Sequence, residues 1–198
     1  MIISFDITYK KDYLKIFIDP PISTVHCWWL SILCFILQVT CTGHFTRKFP
    51  IDELRHDVEV LIIKPYNACP TKPREFCGQE NSLTMGRTYQ SLRQLKTLRI
   101  IHSRIPNIGR KTLWGLSGLE ILDLSHNQLS NVIEPNFDGL YSLRELYLND
   151  NQIKSLVSAA FRHASRLQIL SLAHNKLEGK ETTVWITYMN QKFFIRLN

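Results

Sequence analysis

Between Leu95 and Leu177 one spacing of apolar residues occurs four times without a slip. The copies are Leu95-x-x-Leu98-x-Ile100, Leu119-x-x-Leu122-x-Leu124, Leu143-x-x-Leu146-x-Leu148 and Leu167-x-x-Leu170-x-Leu172, and they start every 24 residues. A fixed period of this size marks a stacked array, in which each unit has an apolar edge it cannot bury alone. Further apolar positions keep the same phase. Tyr89, Leu113, Phe137 and Phe161 form one series, and Leu92, Leu116, Leu140 and Ala164 a second. Ile105, Leu129, Ile153 and Leu177 form a third, and Ile108, Val132 and Leu156 a fourth. Stacking sets like residues against each other, and each buried side chain of this size contributes about 1.5–3 kcal/mol. The phase is lost after Leu177, where Lys180 occupies the position of Ile108, Val132 and Leu156.

The ninth position of each copy is Ser103, Asn127, Asn151 and Asn175. With these residues the stretch resembles the leucine-rich-repeat family. The family consensus L-x-x-L-x-L-x-x-N-x-L is matched by Leu119–Leu129, by Leu167–Leu177 and, with Ile153 last, by Leu143–Ile153. The first copy departs at Ser103. The resemblance implies a curved α/β solenoid with a short parallel sheet on its concave side. It also implies a structural role for Asn127, Asn151 and Asn175 as an asparagine ladder bonded to the backbone of adjacent turns. Buried turns leave amides and carbonyls that need partners, and an amide side chain offers both donor and acceptor.

The rest of the chain is organised around this array. Residues 1–43 are expected to be a leader. Pro20 to Gly43 holds no Asp, Glu, Lys or Arg, and Trp28 to Val39 is its apolar centre. That length fits a cleaved signal peptide, and the run from Val25 to Cys41 approaches the length of a membrane anchor. Membrane attachment through residues 25–41 therefore stands beside cleavage, with a buried helix as the third option. Residues 44–88 are expected to cap the array. Val58–Ile63 is short and β-branched and reads as a strand. Cys69 and Cys77 flank a loop carrying Pro70 and Pro73, and the pair is compatible with a disulfide. Zinc is the rival reading, with neither a C-x-x-C pair nor a nearby His to support it. Resemblance to extracellular members of the family implies a cysteine-bearing cap here, although such caps carry more cysteines. The array itself covers 89–180. Residues 181–198, with Val184–Tyr188 and Phe193–Leu197 flanking a polar turn, read as a β-hairpin-like or truncated end.

Alternate residues of each short strand point away from the leucines. They form ladders: Thr97, Ile121, Glu145, Ile169; then Arg99, Asp123, Tyr147, Ser171; then Ile101, Ser125, Asn149, Ala173. One step further lie His102, His126, Asp150 and His174, followed by Arg104, Gln128, Gln152 and Lys176. The candidate partner-binding residues on this concave face are Arg99, Asp123, Glu145, Tyr147, Asn149 and Asp150. Tyr147 is the candidate hot spot, because large amphipathic side chains dominate such surfaces. The histidine strip is the nearest approach to a metal site or a pH switch, since imidazoles ligate metals and change charge near neutrality.

No catalytic set accompanies these ladders. The sequence has no G-x-S-x-G, no H-E-x-x-H and no phosphate loop, and no cofactor is expected. Asp123, Ser125 and His126 are sequence neighbours, and neighbours on a strand face opposite ways. Net charge is +7, and because residues 1–43 are neutral the whole excess lies in 44–198. These charges are scattered, and Tyr147 is the lone aromatic in the outward ladders, which argues against a nucleic-acid platform. The expected function is a non-enzymatic protein-binding module of a secreted or cell-surface protein, with a protein ligand or receptor as partner. The alternatives are a structural or adhesive element that self-associates and an intracellular repeat scaffold.

Overall fold

The computed structural model describes residues 5–9, 16–18, 38–42, 46–47, 49, 51, 54, 56–65, 82–85, 87–178 and 194–196. The repeated Leu-x-Leu pairs form the strands β7 (Thr97–Ile100), β8 (Ile121–Asp123), β10 (Glu145–Tyr147) and β12 (Ile169–Ser171). They pair in parallel with Leu98, Leu122, Leu146 and Leu170 in register, all fully buried. The constant period carries the chain back to the same register each turn, so the sheet is a direct consequence of the spacing.

The sheet continues beyond the four copies in both directions. β5 (Val60–Lys64) lies beside β7, with Leu61 opposite Leu98 and Ile63 opposite Ile100. β3 (Gln38–Thr42) lies beside β5, with Val39 opposite Leu61 and Cys41 opposite Ile63. Val39, Cys41, Leu61 and Ile63 are all buried, so both strands contribute to the core as the repeats do. β1 (Phe5–Tyr9) pairs antiparallel with β3 and with β2 (Ile16–Ile18). At the other end β13 (Phe194–Arg196) pairs in parallel with β12, Ile195 opposite Leu170. Among the described residues the sheet therefore has nine strands, in the order β13-β12-β10-β8-β7-β5-β3-β1-β2. The fold is a curved β-solenoid with its short parallel sheet as expected.

Among the described residues the opposite side of the coil has little helix. Short 3-10 segments lie at Arg87–Ser91, Glu134–Asn136 and Ser158–Phe161. The turns around them keep a three-residue pitch. Phe137, Leu140 and Leu143 are three apart, as are Leu113, Leu116 and Leu119, and i, i+3 side chains line up in a three-residue turn. The backbone follows suit: Leu140 N–H donates to Phe137 at 3.3 Å and Leu143 N–H to Leu140 at 3.2 Å. The α-layer of the α/β expectation is thus reduced to these turns. Two further parallel pairs lie outside the sheet, β4 (Thr46–Arg47) with β6 (Ser82–Leu83) and β9 (Asn131–Val132) with β11 (Ser155–Leu156). The core lies between sheet and turns, where Phe137 stacks on Phe161 with ring centroids 5.5 Å apart.

The asparagine ladder forms. Asn127 Oδ1 accepts from Ser103 N–H at 3.0 Å and from Ile105 N–H at 3.2 Å, while its Nδ2 donates to the carbonyls of Ile100, Leu124 and Ser125. Asn151 accepts from Leu129 N–H and donates to Leu124, Leu148 and Asn149. Asn175 repeats the pattern with Ile153, Leu148, Leu172 and Ala173. Ser103 instead donates its hydroxyl to Ile101 within its own turn.

Cys69 and Cys77 lie outside the described residues, as do 25–37 and the segment 181–193. Among the described residues no helix is long and apolar enough to cross a membrane.

Candidate functional site

Strand order places the expected concave residues side by side. Arg99 on β7 is opposite Asp123 on β8, Asp123 is opposite Tyr147 on β10, and Tyr147 is opposite Ser171 on β12. Glu145 lies between Ile121 and Ile169. Because alternate strand residues share a face, these side chains form one surface while the leucines fill the core. Arg99 is exposed, Asp123, Glu145 and Tyr147 are half-buried, and Ser171 is buried.

The surface is internally braced. Tyr147 Oη donates to Glu145 Oε2 at 2.9 Å, which fixes the phenol along its own strand. Burial, followed by that hydrogen bond and the Glu145 charge, holds the Tyr147 phenol above its ordinary value of 10.0. Arg99 opposes the rise and Asp123 adds to it, so the phenol senses the charges on both neighbouring strands. Asp123 Oδ1 accepts from Ser125 Oγ at 2.7 Å and from Ser125 N–H at 3.0 Å. Sequence reasoning missed this buried serine's role; the Asp-x-Ser spacing, which suits a local side-chain turn, is the signal that marks it.

At the strand entrance a ladder of ion pairs crosses the repeats. Lys96 Nζ lies 3.0 Å from Glu59 Oε2, and Arg144 Nε lies 3.9 Å from Glu120 Oε2. Such exposed pairs contribute little stability, about 0–1 kcal/mol.

At the strand exit the backbone itself selects the residues. His102, His126, Asp150 and His174 all have positive φ, between 49° and 55°. Among residues with a β-carbon, His, Asp and Asn adopt this left-handed conformation most often. The strip is nonetheless more than four tolerated residues. The rings of His102 and His126 stack with centroids 4.4 Å apart and an interplanar angle of 14°. Asp150 sits between two imidazoles: its Oδ1 is 3.0 Å from His174 Nδ1, and its Oδ2 is 3.6 Å from His126 Nε2. Asn149 Nδ2 donates to Asp150 Oδ2 at 2.7 Å. That hydrogen bond, outweighing the opposing effect of burial and reinforced by the two histidines, holds the Asp150 carboxyl below its ordinary value. The structure thus joins Asn149 and Asp150 to His126 and His174. Arg99, Asp123, Glu145 and Tyr147 form the adjoining group. Among the described residues no set of three or more His, Cys, Asp or Glu side chains is arranged to hold a metal ion.

The leucine rich repeat family profile matches residues 93–153 and 130–177. No curated protein matches the sequence. Solved structures similar to this fold include a chain of the TLR13–ssRNA13 complex, with 22% identity and a TM-score of 0.67 over 81% of this chain and 21% of that one. A chain of the octameric complex of latrophilin 3, Unc5D and FLRT2 aligns with 18% identity and a TM-score of 0.56, covering 78% of this chain and 51% of that one. A leucine-rich-repeat protein of Leptospira interrogans aligns with 24% identity and a TM-score of 0.51, covering 68% of this chain and 31% of that one. The present chain spans between about a fifth and a half of these structures' lengths.

Proposed function

We propose that this chain, whose residues 93–177 are a leucine-rich-repeat module, is a non-enzymatic protein-binding element that works through the concave face of its sheet. The observation that carries this reading is the joined group Arg99, Asp123, Glu145 and Tyr147 on adjacent strands. A rigid sheet holds these groups in fixed positions, so little conformational entropy is lost when a partner docks. Tyr147 supplies apolar area together with a hydroxyl held by Glu145, the combination that dominates protein interfaces. The partner is a protein ligand or receptor. The similar solved structures support the scaffold; the choice of partner rests on this surface, because scaffolds of one fold serve many partners.

The same reading places the protein outside the cell or at its surface, on the apolar run Trp28 to Val39. The leader lies within residues 1–43, with 44–88 as the cap region with Cys69 and Cys77, 89–180 as the repeats and 181–198 as the end segment. Because Val39 and Cys41 are buried, removal of everything up to residue 43 would take β3 with it, whereas a retained anchor would leave it in place. The mature N-terminus, read by sequencing of the expressed protein, distinguishes these outcomes.

The binding reading is tested with a panel of extracellular proteins screened for interaction, each hit being measured again with the Tyr147→Ala/Glu145→Ala variant. Loss of affinity by about thirtyfold, the effect of removing a hot spot, is the expected result. Unchanged affinity for every hit would refute the concave face as the binding surface.

A further inference from the structure

The strip of His102, His126, Asp150 and His174 lies beside the joined group Arg99, Asp123, Glu145 and Tyr147, and its three histidines are not among the residues assigned to partner binding. We propose that this strip, with Arg104 and Lys176 on its outer side, is a docking edge for an acidic peptide segment of the protein partner, engaged as its imidazoles take up protons. The inference rests on the protein-binding reading and names the chemistry of that partner.

Left-handed backbone at all four positions turns the side chains out at the exit of β7, β8, β10 and β12, one per repeat. Adjacent strands are about 4.8 Å apart, so the four form a continuous line. Stacked His102 and His126 make one half of it, and Asp150 bridged to His126 and His174 makes the other. The next residues outward, Arg104, Gln128, Gln152 and Lys176, are all exposed.

Charge then decides what the line attracts. Imidazole is the ordinary side chain whose charge changes between pH 5 and 8. With neutral rings the strip carries only the negative charge of Asp150, which repels acidic groups. With the three rings protonated it carries two net positive charges, because the Asp150 carboxyl is held below its ordinary range and stays ionised. The charged residues in the rows on either side of the strip, among residues 64–178, are Lys64 at the exit of β5, Arg99, Asp123 and Glu145 on the strands, Arg104 and Lys176 outside, and Lys154 and Glu178 beyond them. Cations outnumber anions among them, five to three, so protonation extends a positive rim. Peptide carboxylates remain largely charged at pH 5.5, since their ordinary values lie near 4.

A peptide fits better than a nucleic acid. Asp123, Glu145 and Asp150 lie along the same concave surface and oppose a continuous phosphate chain. Tyr147, whose hydroxyl is engaged by Glu145, is the one Phe, Tyr or Trp among the outward residues of β7, β8, β10 and β12, and the rings of His102 and His126 are stacked on each other, which leaves few faces open to bases. Discrete acidic side chains on a peptide can be placed at the rim and kept away from those carboxylates.

The experiment uses the full chain and a fluorescein-labelled dodecapeptide of alternating Glu and Ser, with single-stranded RNA of equal length as a second probe. Fluorescence anisotropy is recorded at pH 7.5 and 5.5. Peptide affinity is expected to rise by at least about tenfold at the lower pH, in line with the effect of complementary charge at an interface. The variant His102→Asn/His126→Asn/His174→Asn keeps residues that tolerate the left-handed backbone and is expected to lose the pH effect. Its melting temperature checks that the fold is intact. Equal peptide affinity at both pH values, or an unchanged pH effect in the variant, would overturn the proposal. Acid-enhanced binding of RNA with none of the peptide would overturn the partner class. The Tyr147→Ala/Glu145→Ala variant separates the two readings: a preserved pH effect there, with partner affinity also preserved, condemns the concave face and not the edge.

Discussion

Asn127 joins two repeats through its side chain, donating from Nδ2 to the Ile100 carbonyl at 2.7 Å while its Oδ1 accepts from Ser103 N–H at 3.0 Å. The same arrangement recurs at Asn151 and Asn175, but burial does not. Asn151 is buried and Asn175 is only half-buried. Replacing Asn151 with Ala leaves the Leu129 amide and three carbonyls without that partner in a dry environment, and is expected to cost at least about 2 kcal/mol. Asn175→Ala admits water to the vacated groups and is expected to cost about 1 kcal/mol. Urea denaturation of both variants checks the order.

Asp150 gives the fold a definable acid dependence. Its carboxyl lies below the ordinary 3.8 in the folded protein, held there by Asn149 first and by His126 and His174. A depressed carboxyl stabilises the fold above its unfolded value, and this contribution is lost as pH falls through the folded value. Asp150→Asn retains a residue suited to positive φ and removes the charge. The stability difference between the native protein and this variant is therefore expected to shrink steadily below pH 3.8 and vanish at lower pH. Denaturation midpoints measured from pH 7 down to 2 test it; a constant difference would contradict the assignment.

Two glycines separate backbone strain from packing. Gly115 has φ of 95° and an added β-carbon would meet nothing within 4 Å. Gly139 has φ of 85°, and its added β-carbon would lie 3.3 Å from Trp114 Cδ1 and 3.4 Å from the Gly115 amide. Gly115→Ala is expected to destabilise by about 1–2 kcal/mol through conformation alone. Gly139→Ala adds the contact and is expected to be worse, and to shift the fluorescence of Trp114. Thermal melts and emission spectra of the two variants provide the comparison.

Cys41 tests the sheet beyond the repeats. It is buried on β3, opposite Ile63, in the environment of the buried Tyr89, whose phenol is pushed far up by that burial. Alkylation of Cys41, followed by peptide mass spectrometry, is expected only after unfolding, since a buried thiol reacts slowly. Rapid labelling in native buffer would remove β3 from the core.

The array was legible because one register repeats. Leu98, Leu122, Leu146 and Leu170 are each 24 apart, and the asparagines follow at the same interval, so a single count predicts both the sheet and its hydrogen-bonded ladder. The concave surface was legible too, since alternation along a strand assigns Arg99, Asp123, Glu145 and Tyr147 to one side without knowledge of the contacts. The outer strands were not legible in this way. Val39 pairs with Leu61 across 22 residues, Leu61 with Leu98 across 37, and Leu170 with Ile195 across 25. Hydrogen bonds between parallel strands depend on register in space and are indifferent to the length of the connecting loop, so unequal loops erase the period while preserving the pairing. The histidine strip shows the same division. Sequence placed His102, His126, Asp150 and His174 in one line, but only the folded backbone, left-handed at every one of them, stacks two of the rings and sets Asp150 between two imidazoles. Periodicity determines which residues share a row; how neighbours in that row meet is decided by torsion angles and side-chain rotation that no spacing records.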